Sequence, residues 1–219
     1  MGVLDLLLPQ RCLGCSLPGR QVCDGCRSSI RRIEAPLCAR CGAPTAWPVE
    51  RCAECIGRRL AFARARAAVA YDDPVRRVVS AWKERGLRRL AAWAADVIVE
   101  MVAPLALDCV TFVPADRDRL LQRGHHPAEA LARELACRWS LDLATLLRRT
   151  RRVQRQRGLT RAARRRNVAG AFVARAPPRS VVVVDDVYTT GATASAAASA
   201  LRRVGAAEVH VVAFARAVR

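Results

Sequence analysis

Apolar and polar positions give the chain two textures, with the change falling near residues 58–64. From residue 65 onward, short apolar runs alternate with amphipathic stretches, the pattern of strands that cross to helices over a mainly parallel sheet. Residues 65–71 predict a strand, and Pro74 opens a helix that Gly86 stops. Leu87, Leu90, Ala94, Val97 and Met101 recur at helical spacing and predict a second helix. Residues 109–113 read as a short buried strand ended by Pro114, followed by a loop over 115–126 and a helix to about Trp139. Residues 143–147 fit a strand or a helix. The β-branched run 181–184 predicts a central strand, 192–204 a helix, and 208–215, with Val209, Val211, Val212 and Phe214, a strand that closes the sheet. Cys109, Cys137 and His210 read as ordinary packing residues.

Before residue 61 this texture is missing. Gly14, Pro18, Gly19, Gly25, Pro36, Gly42, Pro44 and Pro48 interrupt any helix or strand, so something other than an apolar core has to hold the segment together. The cysteines supply it. Eight of the ten precede residue 56, and all eight sit in C-x-x-C pairs: Cys12 and Cys15, Cys23 and Cys26, Cys38 and Cys41, Cys52 and Cys55. Two such pairs complete a tetrahedral S₄ shell, so eight thiolates make two sites for structural Zn²⁺. An iron–sulfur cluster is the other S₄ reading. Sequence neighbours close the shorter loops and so pair most cheaply, with a cross-braced arrangement as the alternative. The expected division is residues 1–60 as a cysteine-rich module and 61–219 as the α/β domain.

Composition narrows the function classes. No apolar run approaches the roughly 20 residues that cross a bilayer. Residues 3–8 are too short and too poorly flanked for a signal peptide, so a cytoplasmic protein without a membrane span is expected. The formal charge of +19 favours polyanions or phosphorylated small molecules as partners. Almost all of the positive charge is arginine, because Lys83 is the only lysine. Ten arginines and no acid fall within residues 148–166, too charged a segment for core.

The run 181–193, Val-Val-Val-Val-Asp-Asp-Val-Tyr-Thr-Thr-Gly-Ala-Thr, carries the chemistry. A buried strand delivers Asp185 and Asp186 to its carboxyl end, where open α/β sheets bind ligands. A Thr/Gly turn then enters a helix, aiming backbone N–H groups and the hydroxyls of Thr189, Thr190 and Thr193 at one spot that suits a phosphate. A helix cap alone accounts for one threonine but leaves the two acids unexplained.

These 13 residues resemble the phosphoribosyl-pyrophosphate signature of type I phosphoribosyltransferases. The whole chain resembles the ComF family, which joins a double zinc ribbon to that fold. Further matches are the four cysteine pairs, Lys83 within Trp-Lys-Glu-Arg-Gly, Val113-Pro114 before a basic loop, Arg123-Gly124, and Gln156 through Arg166-Asn167 to Gly170-Ala171-Phe172. The resemblance implies that Asp185 and Asp186 hold the ribose hydroxyls, and that Thr189, Thr190, Gly191, Ala192 and Thr193 hold the 5′-phosphate. It also implies that Lys83 and Arg123 meet the pyrophosphate, that Mg²⁺ bridges the ligand oxygens, and that 151–166 is a hood over the site. Family members are linked to natural transformation, in which imported single-stranded DNA passes to recombination proteins. Where the family carries an aromatic, an amide-bearing residue and Gln after Arg-Gly, this chain has His125-His126-Pro127. Those histidines read either as an anion contact or as exposed surface. The hood also lacks the aromatic platforms that usually accompany single-strand binding.

Overall fold

The computed structural model describes residues 10–103, 107–150 and 170–218. The hood expected over 151–166, with Gln156 and the arginines Arg161, Arg164, Arg165 and Arg166, lies outside those residues. In chain order the elements are α1 (Asp24–Ser29), β1 (Arg64–Ala70), α2 (Asp73–Glu84), α3 (Leu90–Met101), β2 (Cys109–Phe112), α4 (Arg117–Arg123) and α5 (Pro127–Trp139). They continue with β3 (Asp142–Leu143), β4 (Leu147–Arg149), β5 (Phe172–Ala174), β6 (Ser180–Tyr188), α6 (Ala192–Arg203) and β7 (Glu208–Arg216).

Five strands form one sheet in the order β1-β7-β6-β2-β3, with every pairing parallel. The valine run of β6 explains why the sheet is covered on both sides. Successive side chains in a strand point to opposite faces. Val182 and Val184 therefore join Trp82, Leu90, Ile98, Leu131 and Phe214 in one core, beneath α2, α3 and α5. Val181 and Val183 join Val211, Ala197 and Leu201 in a second core. Each fully buried side chain of this size contributes about 1.5–3 kcal/mol.

The second core is shared between the two textures of the sequence. Cys38, Cys41, Cys55, Leu60 and Phe62 are buried in it together with α6 and the sheet. The cysteine module also lines the outer edge of β1, where Ile33 N–H donates to Ala68 O at 2.9 Å and Ala70 N–H to Arg31 O at 2.9 Å. An open parallel edge is thereby closed without a further strand of the sheet. The segment of the first cysteine site packs against the first core through Leu13, Val22, Cys26 and Ile30, and ion pairs from Arg27 and Arg32 to Glu100 tie it to α3.

The structure departs from the sequence expectation at several places. The 115–126 loop contains α4, which Asp116 caps by accepting from Asp118 N–H and which Gly124 ends at φ 64°. Residues 143–147 are divided: Asp142–Leu143 pairs with β2, whereas Leu147–Arg149 turns away to pair antiparallel with Phe172–Ala174. Within the cysteine module, Cys23 accepts from Cys26 N–H and so caps a short helix in a stretch expected to have none. Cys109 and His210 are buried as expected, but Cys137 is exposed on α5 and is not a core residue. Among the described residues no helix is long and apolar enough to cross a membrane.

Candidate functional site

The cysteines form two tetrads in sequence order: Cys12, Cys15, Cys23 and Cys26, then Cys38, Cys41, Cys52 and Cys55. Within each tetrad the sulfurs lie within 4.8 Å of one another, which excludes the cross-braced arrangement. A tetrahedral zinc with bonds of about 2.3 Å separates its sulfurs by about 3.8 Å. The observed separations are 3.6 Å for Cys15–Cys23, 3.6 Å for Cys41–Cys52 and 3.9 Å for Cys38–Cys55, so both cages fit the ion. Burial works against charge on Cys12 and Cys38. Backbone N–H groups aimed at the two sulfurs outweigh it, bringing the Cys12 thiol down to about 6 and the Cys38 thiol down to about 7. Each cage thus contains a thiol disposed to ionise, the form that binds metal.

The second cluster lies at the carboxyl end of the sheet. From β2 the chain moves outward to β3, and from β6 it moves the other way to β7, so the crevice between β2 and β6 is a topological switch point. β2 stops pairing at Phe112 opposite Val184, while β6 runs on beside β7 as far as Tyr188. Asp185 and Asp186 therefore lie inside β6, and not beyond its end, on a stretch that β2 no longer covers. Asp186 shares the face of Val182 and Val184, and there meets the Lys83 ammonium from α2 at 2.7 Å. Asp185 Oδ1 accepts the Asp186 backbone N–H at 2.9 Å. Arg123 joins the group through a neighbour, pairing with Glu84 at 2.6 Å.

After β6 the chain turns sharply into α6. Gly191 has φ 69°, and a Cβ there would meet the Tyr188 ring, 2.6 Å from its Cζ, so both backbone and space require glycine. The first helical bond is Ser195 N–H to Gly191 O at 2.9 Å, and Thr190 Oγ1 accepts from Ala192 N–H at 3.3 Å. Among the described residues the N–H groups of Gly191, Thr193 and Ala194 have no acceptor. Such a helix start attracts an anion.

Burial, reinforced by the neighbouring Asp186 charge, raises Asp185 from an ordinary 3.8 to about 7. Burial opposes the Lys83 ammonium, but the charges of Asp186 and Asp185 outweigh it and raise the Lys83 pKa. The sign for Asp185 follows from proton linkage. Its raised value makes a contribution to folding that is present below about pH 4 and lost as pH rises through about 7. Cation binding, which needs the carboxylate, strengthens over the same window. Thermal melts of the isolated protein between pH 4 and 8 should therefore slope downward more steeply than those of Asp185→Asn. Parallel curves would contradict the assignment.

Several residues of this region were not evident in the sequence. Arg149 read only as part of the arginine-rich segment 148–166, yet from β4 it donates to Pro114 O at 3.3 Å and its charge bears on Asp185. His125 and His126 are neither an open anion site nor exposed surface. The ring nitrogens of His125 lie 3.0 Å from Arg123 O and 2.7 Å from Trp82 O. His126 Nδ1 lies 3.2 Å from the Glu129 nitrogen at the start of α5, and Nε2 lies 2.7 Å from the Ala115 nitrogen, with one of the two accepting a backbone N–H. The His126-Pro127 pair was a legible helix start, since proline suits the first helical position. Arg58, which donates to Thr190 O at 2.6 Å, read only as linker.

Comparison with known proteins agrees with both halves. A double zinc ribbon domain model matches residues 3–56, and a phosphoribosyl transferase domain model matches residues 120–218. The ribbon match assigns the cysteine cages to structural zinc. Competence protein F of Haemophilus influenzae is 28% identical over 94% of this chain and 97% of its own length. DNA utilization protein YhgH of Salmonella typhimurium is 30% identical over 94% and 96%. Competence protein ComFC of Bacillus subtilis is 26% identical over 87% and 81%. Among solved structures, orotate phosphoribosyltransferase from Aeropyrum pernix aligns with 67% of each chain at 25% identity and a TM-score of 0.37. Identity of this order sustained over nearly the full length of both partners, with the two domain models in the same order along the chain, makes this protein a member of the ComF family.

Proposed function

We propose that the chain binds phosphoribosyl pyrophosphate with Mg²⁺ in the crevice between β2 and β6, in the cytoplasm, and serves the handling of incoming DNA. Residues 1–60 act as a zinc-held buttress and residues 61–219 as the binding domain. Asp185 and Asp186 face the ribose hydroxyls and the cation, Thr189–Thr193 takes the 5′-phosphate, and Lys83 and Arg123 meet the pyrophosphate. The observation that supports this most is a juxtaposition. Two carboxylates and an ammonium lie at the carboxyl end of the central strand, beside a helix start whose N–H groups have no acceptor among the described residues.

Mg²⁺ would offset the two acids and hold diphosphate oxygens while keeping several waters. The chain's own contribution is position and charge, which is what displacement of pyrophosphate from ribose C1 requires. The acceptor supplies the nucleophile. The link to DNA rests on relatives that bear the names competence protein and DNA utilization protein.

A second reading, a non-catalytic factor for single-stranded DNA, is favoured by one feature. A cavity of about 520 Å³ beside α6 is lined by Arg58, Arg59, Arg203, Ser195 and Ser199, with no acid among its described lining residues.

One pair of measurements separates the two. Calorimetry with phosphoribosyl pyrophosphate and Mg²⁺ should show binding that Asp185→Asn with Asp186→Asn weakens by about 100-fold or more. Equal binding by variant and wild type would refute the proposal. No binding by the wild type, with single-strand affinity that falls steeply with salt, would leave the second reading in its place.

A further inference from the structure

We propose that Arg58, a residue of the cysteine module, is a positioning residue for the phosphate-binding turn, and that it couples zinc in the second tetrad to ligand binding. The inference rests on the phosphate site proposed above. Arg58 belongs to the turn that carries Cys52 and Cys55, with its own N–H donating to Cys55 O at 3.1 Å. One arm of its guanidinium donates to Glu54 O at 3.1 Å, and the other crosses to the α/β domain and donates to Thr190 O at 2.6 Å.

The Thr190 carbonyl is the group that would accept from Ala194 N–H if α6 began one residue earlier. It faces Arg58 instead, and Ala194 N–H has no acceptor among the described residues. Arg58 thus holds the turn in the form that leaves a helix N–H open to an anion. Without it, Thr190 O is free to close on Ala194 N–H, which removes a donor from the site and rotates the turn.

A second line of contacts leads from the same tetrad to the same turn. Arg216, buried at the end of β7, donates to Cys41 O at 2.7 Å and to Glu54 Oε2 at 2.9 Å, and lies 3.6 Å from Cys41 Sγ. Its guanidinium carbon lies 4.7 Å from the centre of the Tyr188 ring, and Tyr188 in turn lies against Gly191. Ala61 N–H also donates to Ser195 Oγ at 3.2 Å, fastening the linker to the first turn of α6. No described bond joins the first tetrad to this turn. Its ion pairs lead to Glu100 on α3. Coupling is therefore specific to the second site.

The test uses the full-length, zinc-loaded protein with phosphoribosyl pyrophosphate and Mg²⁺ as probe. Arg58→Ala should weaken binding on the order of tenfold at unchanged zinc content. Arg58→Lys, which cannot span both carbonyls, should fall between, and Arg64→Ala, an exposed cation elsewhere, should match wild type. Coupling is reciprocal, so the probe should also slow removal of one of the two zinc ions by a chromogenic chelator in wild type. In Arg58→Ala that protection should vanish.

Wild-type affinity retained by Arg58→Ala would overturn this inference and leave the phosphate site standing. A wild type that binds no probe would overturn both. Should Arg58→Ala fail to fold, the chelator measurement on wild type decides, and zinc loss unaffected by the probe rejects the coupling.

Discussion

Replacing Cys55 with serine is expected to destabilise far more than the ribbon that contains it. The thiol is fully buried, and it packs in the same core as Leu60, Phe62, Ala197, Val181 and Val183. Structural zinc in such cages contributes roughly 10–16 kcal/mol of binding free energy to folding, whereas whole domains are stable by only about 5–15 kcal/mol. A third of the metal's contribution, about 3–5 kcal/mol, is already a large fraction of that stability. Cys15→Ser should cost less, because Cys15 is exposed and only Cys26 of its cage, partly buried beside Leu13, Val22 and Ile30, packs against the first core. Calorimetric melts with zinc analysis should show loss of one ion in each variant. A large drop in melting temperature is expected for Cys55→Ser alone. Equal melting of the two would mean that the second cage is no more integral than the first.

Lys83→Met should be the most costly change in the crevice. It leaves Asp186, only 14% exposed, beside Asp185 with no ammonium to offset either charge. Breaking a buried pair costs about 3–5 kcal/mol, and the residual access of solvent to Lys83 reduces this to about 2–3 kcal/mol. Adding Asp186→Asn removes the stranded charge and should restore part of the loss. Urea melts of the two single variants and the double variant give the coupling directly, and additive effects would show that the pair is not coupled. The probe affinity of Lys83→Met should fall as well, since the ammonium is lost from the site.

The parts of this molecule legible in the sequence are those fixed by local chemistry. Four consecutive valines demand a strand covered on both faces, and β6 is one. Paired C-x-x-C spacing demands two closed cages, and the shorter loops formed them. Gly191 marked a turn that no other residue fits, and its neighbours marked the helix start. What escaped depends on contacts far apart in the chain. Nothing near Arg58 indicates that Thr190, 132 residues later, would receive its guanidinium. The two acids were expected at the strand's carboxyl end, but only the early stop of β2 reveals that β6 runs on beyond them beside β7 alone. Residues 143–147 were ambiguous for a physical reason, since they serve two sheets in succession. The histidine pair misled because its ring atoms lie against backbone groups of α2, α4 and α5, which no local pattern announces.

The strand order carries a consequence for biosynthesis. β1 hydrogen-bonds within the sheet only to β7, so on the ribosome its inner edge stays unpaired until the most carboxy-terminal strand has emerged. The ribbon, already made, can clamp residues 31–33 along the other edge during that wait. Metal loading during translation would thus shield a half-finished sheet from neighbouring nascent chains.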